Sequence, residues 1–148
     1  MIYKFDLSIS GTNFFPEKII GNFVGDFIID SYFNPRDKKN EEQEFEYGSI
    51  SFSHPKKNAS DNQIIEYEKS YVEFIENNYL LLIENGAEDF QIFLEIYYEG
   101  EQCNFELFNN GLLKRVSIFN ISLPISVYKL DETYMNEWEK EIEEDWII

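Results

Sequence analysis

From Ser60 to Gly86 the apolar residues recur with the period of an α-helix, so any fold open to this chain must offer a surface for one long amphipathic helix. On a helical wheel Ile64, Tyr67, Tyr71, Val72, Phe74, Ile75, Tyr79, Leu82 and Ile83 share one broad face, and Glu66, Lys69, Ser70, Glu73, Glu76 and Asn77 lie opposite. Glu68 is the one charge inside the apolar arc. Ser60 followed by Gln63 reads as a capping box, which predicts that the helix starts at Ser60. Asn85-Gly86 supplies residues that tolerate a left-handed helix stop.

Strand patterns surround this helix. From Ile2 to Ser10, Tyr3, Phe5, Leu7 and Ile9 alternate with Lys4, Asp6, Ser8 and Ser10, the mark of a half-buried strand. Pro16-Glu17 opens a short helix with Ile19, Ile20 and Phe23 on its buried side, and Phe27 to Ile29 reads as a brief strand. Asn34 to Glu44 is polar and aperiodic, hence an exposed loop. Glu44 to Ser53 is a second strand that stops at His54-Pro55. Phe90 to Tyr98 alternates again, Glu99-Gly100-Glu101 turns it back, and Asn104 to Phe108 is expected to return beside it. Leu112 to Phe119 has helical spacing, and Ile121 to Leu130 is a last strand in which Pro124 implies an edge or a bulge. In the tail from Asp131 to Ile148, Tyr134, Trp138, Ile142 and Trp146 recur every four residues. The expected fold is therefore a single α+β domain over 1–148. It has an antiparallel sheet of about five strands, a long central helix and shorter helices packed on one face, and an acidic C-terminal helix from 131 to 148.

Charge narrows the functional classes. Twelve basic residues stand against 29 acids, a net charge of −17, which repels phosphate backbones and anionic membranes, so neither nucleic acid nor a membrane is an expected partner. The one cysteine, Cys103, cannot form an internal disulfide, and the first residues carry no signal-peptide pattern; both suit a cytoplasmic protein. No nucleotide-binding or calcium-loop motif occurs. His54 has no histidine or cysteine nearby to complete a zinc set and reads as a solvated loop residue. Cys103 lies among Glu99, Glu101 and Glu106, which oppose thiolate formation. No catalytic, cofactor or metal residue is assigned, and no cofactor is expected.

Two stretches carry a resemblance. Leu7-Ser8-Ile9-Ser10-Gly11-Thr12-Asn13-Phe14-Phe15-Pro16-Glu17-Lys18-Ile19 resembles the opening of the bacterial domain of unknown function 4279 family, where a strand ending in Ser-Gly leads to Pro-Glu and a short helix. Asn104-Phe105-Glu106-Leu107 through Leu112-Leu113 to Ile121-Ser122-Leu123-Pro124-Ile125-Ser126-Val127-Tyr128 is similar to its closing strand, helix and strand. With the long helix, the likeness spans 1–130. It implies an α+β domain, and some relatives resemble immunity proteins beside secreted toxins.

Two functional readings follow. In the first, a cytosolic immunity or inhibitor protein neutralises a basic toxin domain by charge complementarity and occlusion. Its candidate partner-binding residues are Glu137, Trp138, Glu141, Glu144 and Asp145 in the tail and Glu41, Glu42 and Glu44 in the loop, since acid clusters steer cationic partners and tryptophans anchor interfaces. Plain solvation of a charged surface accounts for the same acids. The alternative is a small-ligand-binding or enzymatic domain built from unmarked carboxylates and tyrosines.

Overall fold

In the computed structural model, which describes residues 1–147, one strand organises the sheet. β1, Ile2–Gly11, buries Tyr3, Phe5, Leu7 and Ile9 on one face and leaves Lys4, Asp6, Ser8 and Ser10 half-buried on the other. β5, Asp89–Tyr98, runs antiparallel along it from Ser10–Asp89 to Ile2–Tyr97. On its other side β1 pairs first with β3, Gly48–Ser53, and then with β4, Ala59–Ser60. β2, Ile28–Phe33, lies outside β3, while β6, Ile121–Ser122, and β7, Ile125–Lys129, lie outside β5. The fold is α+β with a mostly antiparallel sheet.

The departure from a fully antiparallel sheet is at the β5 edge, where β6 and β7 run parallel to β5. Parallel neighbours need a crossover, and the chain makes it through α2, Asn110–Val116, and the 3-10 turn Ser117–Phe119. The returning strand expected at Asn104 to Phe108 is absent, because β6 and β7 occupy the edge it would need. Phe108 instead turns inward, fully buried, with a φ of 52°.

α1, Ile64–Glu84, lays Tyr67, Tyr71, Val72, Phe74, Ile75 and Leu82 on the apolar face of the sheet. It starts four residues later than the capping box predicts, because Ser60 is committed to β4 opposite Ile2. The Gln63 carboxamide still accepts the Ser60 N–H at 3.0 Å, but the Gln63 N–H bonds the Ser60 carbonyl and not its hydroxyl, so one arm of the box is made, in a turn outside the helix. At the far end the Ala87 N–H reaches the Leu82 carbonyl and the Gly86 N–H reaches that of Ile83, with Gly86 at φ 97°; this is the Schellman stop. Ile83 is exposed, contrary to its place on the wheel, while Asn78 is buried with its carboxamide bonded to both the N–H and the C=O of Val24.

Pro16–Lys18 forms a 3-10 turn, with Ile19 buried behind it. Asn34 to Glu44 is the exposed loop expected, folded back on itself through a bridge between Lys38 and Glu44 into a hairpin-like turn. Phe45 and Arg36 exchange backbone contacts with their opposite side, Phe33 stacks on Phe45, and Asn34 is buried against Glu17. α3, Glu132–Ile147, crosses the Ile2 end of the sheet and covers that end of the face opposite α1. The last tail residue, Ile148, lies outside the described residues.

Candidate functional site

α3 begins where the Asp131 carboxylate accepts the Tyr134 N–H at 3.1 Å. Met135 and Ile142, seven residues apart and so on one side of the helix, are buried against Ile2. Steps of four residues drift by about 40° on a 3.6-residue helix, so the stripe from Tyr134 to Trp146 cannot all face inward. Tyr134 turns out, 64% exposed. Trp138 is half-buried on the Tyr97 ring, 4.8 Å away, and Tyr97 stacks on Tyr128 at 5.2 Å. The Tyr97 hydroxyl donates to Glu95 at 2.7 Å, and burial first, then that carboxylate, pushes its pKa well up.

Beside this aromatic row is a cleft of about 350 Å³ lined by Leu130, Tyr134, Glu137, Trp138 and Glu141. Two carboxylates one turn apart, flanked by two aromatic rings, match the chemistry of a cation on a long side chain: the rings attract its charge and the carboxylates accept its N–H groups. Among the described residues no group of three or more His, Cys, Asp or Glu side chains converges as a metal site would require.

The remaining candidates do not join one surface. Glu144 continues the Glu137–Glu141 face one turn on. Asp145 is already engaged, its carboxylate 3.8 Å from the Lys56 ammonium and its carbonyl bonded to it. Glu41 and Glu42 sit at the tip of the 34–47 hairpin, where Asn40 accepts the Glu42 N–H, and Glu44 pairs with Lys38 at 3.1 Å. That hairpin lies at the Gly11–Gly48 end of β1 and α3 at the Ile2 end, roughly 30 Å apart by the rise of a ten-residue strand. A larger cleft of about 660 Å³ between Thr12–Phe15 and the hairpin is lined by Arg36 and by two carboxylates, Glu46 and the Glu44 held by Lys38.

One residue departs from its sequence reading. His54 is buried, not solvated, in an aromatic nest of Phe27, Tyr67, Tyr71 and Trp146, and burial pushes its pKa below the usual value. Its Nδ1 accepts the Lys56 N–H at 2.9 Å, and Trp146 closes the nest by donating its indole N–H to the Asn58 carbonyl at 2.8 Å. The alternation Ile50, Phe52, His54 held this signal, since it carries the buried face one step past the strand. Cys103 is half-buried with its sulfur 3.5 Å from that of Met1. Glu68, conspicuous on the wheel, is buried and accepts the Phe108 N–H at 2.8 Å; burial raises its pKa to about 7.

No helix among the described residues is long and apolar enough to cross a membrane. Compared with known proteins, the chain matches no family model, no curated protein and no solved structure.

Proposed function

We propose that this chain is a cytosolic binding protein of the immunity type, which captures a basic toxin domain and occludes its working surface through the outer face of α3. The observation that supports this most directly is the cleft of Glu137, Glu141, Tyr134 and Trp138, a receptacle for a lysine or arginine side chain on a molecule of net charge −17. The long-range field draws a cationic partner in and the cleft gives it one place to lock, a division between association rate and specificity common to charged interfaces. The test is co-expression with a basic toxin domain encoded in its genetic neighbourhood. The chain should restore growth and form a complex whose association slows steeply as salt rises. The variant Glu137→Lys, Glu141→Lys, Glu144→Lys should lose both while keeping the parent melt. Full protection by that variant at physiological salt would remove the α3 face from the reading, and no protection by the parent would remove the reading itself.

A further inference from the structure

The two free edges of the sheet are built differently. β2 carries a register shift between Ile29 and Ser31, with Asp30 at the irregularity, and runs straight into the 34–47 hairpin. A bulge, a charge and a neighbouring hairpin are the usual means of keeping other strands off an edge. β7 has no bulge and no adjoining hairpin, and its one charge, Lys129, stands at its last position. It pairs in unbroken register from Leu94–Ile125 to Tyr98–Lys129, its sequence Ile125-Ser126-Val127-Tyr128-Lys129 holds no proline, and all five residues are exposed. Ile125 is 51%, Val127 46% and Tyr128 45% open to solvent.

The backbone of this edge specifies what could cover it. In a parallel pair the N–H and C=O of one residue point to the same side and alternate along the strand. The Pro124 carbonyl accepts from Leu94 at 2.9 Å and the Leu130 N–H donates to Tyr98 at 2.8 Å, so Ser126 and Tyr128 face β5. Ile125, Val127 and Lys129 then present their N–H and C=O groups outward, and among the described residues β7 pairs with β5 alone. Alternating donors and acceptors at strand spacing are complemented by another extended polypeptide, not by a helix or a small molecule.

The strand also leads somewhere. Leu130, the residue after β7, lines the α3 cleft, and Tyr128 joins it through the Tyr97–Trp138 stack. A strand laid on β7 would run its end into the pair Glu137 and Glu141. A second copy of the chain is a poor occupant, because two molecules of charge −17 would have to meet along their edges. We infer that the free edge of β7 receives an extended, uncharged stretch of the cationic partner, whose terminal lysine or arginine seats in the α3 cleft. This rests on the binding function proposed above and adds the shape of the partner segment: alternating β-branched residues ending in a basic one.

The test uses the full chain, isotopically labelled, and a synthetic peptide of alternating threonine and valine ending in arginine. Amide exchange read by NMR should slow at Val127 and Lys129, which point outward, and change little at Ser126 and Tyr128, which already bond to β5. The same peptide ending in glutamate should bind about tenfold more weakly. Val127→Pro removes an outward N–H while sparing the β5 ladder, so it should keep the parent melt and lose the protection; should it fail to fold, Ile125→Lys at an exposed position should weaken the peptide instead. Perturbation of the Trp138 indole without protection at Val127 and Lys129 would overturn the edge and leave the cleft reading standing. Absence of any response to the arginine peptide, or equal protection by the glutamate peptide, would also overturn it. Protection that grows with protein concentration in the absence of peptide would make a second copy the occupant and overturn it too.

Discussion

At Phe5, where β1 has left β3 and has yet to reach β4, phenol groups stand where a strand would be. The Tyr67 hydroxyl accepts the Phe5 N–H at 3.2 Å and donates to the Lys57 carbonyl at 2.8 Å; that of Tyr71 donates to the Phe5 carbonyl and accepts the His54 N–H at 3.2 Å. Tyr71→Phe would leave a buried carbonyl and a buried N–H unpaired, and urea unfolding should show a loss of about 1–3 kcal/mol. Helical spacing put both rings on the buried face, but their hydroxyl partners come from residues 5, 54 and 57, and no local pattern announces them. Glu68 was visible at once as a charge in an apolar arc, and its consequence is a pH dependence. Its carboxyl titrates at 4.5 when unfolded and at about 7 when folded, chiefly through burial. Below 4.5 both states hold the proton; between those values only the folded state does, so stability falls as pH rises through that window, by up to about 3 kcal/mol. Glu68→Gln keeps an acceptor for the Phe108 N–H and should unfold at higher urea than the parent at pH 8, with little difference at pH 4, since only the carboxylate must be desolvated.

Elements marked by their own residues were legible in advance: β1 and β5 by strict alternation, α1 by its period and its Asn85-Gly86 stop. Pairing was not, because whether β5 is joined by a hairpin or by a crossover depends on which strand wins a shared edge. α3 was legible as a helix, though its inward side is set by Ile2 and Tyr97, distant residues that turn Tyr134 outward. The turn after β1 depends on close backbone contact. A Cβ on Gly48 would stand 1.7 Å from the Phe14 carbonyl, whereas one on Gly21 meets nothing within 4 Å. Gly48→Ala should therefore lower stability by at least about 2 kcal/mol, and Gly21→Ala should leave the thermal melt within a few degrees of the parent.

For the whole molecule, 29 acids against 12 bases mean that folding concentrates like charge. The melting temperature should rise with sodium chloride between roughly 0.01 and 0.15 M, as the screening length shrinks from about 30 to 8 Å, while partner binding weakens over the same range. A melt that falls with salt would mean that the pairs Arg115–Glu76, Lys38–Glu44 and Lys56–Asp145 outweigh the general repulsion. The composition announced this electrostatic character, but the separation of the acids into an α3 face and a distant hairpin depends on where the sheet ends. The order of strands also bears on how the molecule is made. β1 is flanked by β3 and β5, and its longest ladder joins Ile2 to Tyr97 and Ser10 to Asp89. During synthesis the centre of the sheet is therefore made first and completed late, while α1, which needs only its own residues, can form in between. Such distant pairing is slow, and the edge of β1 that β5 will join stays unpaired until residue 98 has emerged, which makes the nascent chain a substrate for holding chaperones at the stage when β1 is still an open edge.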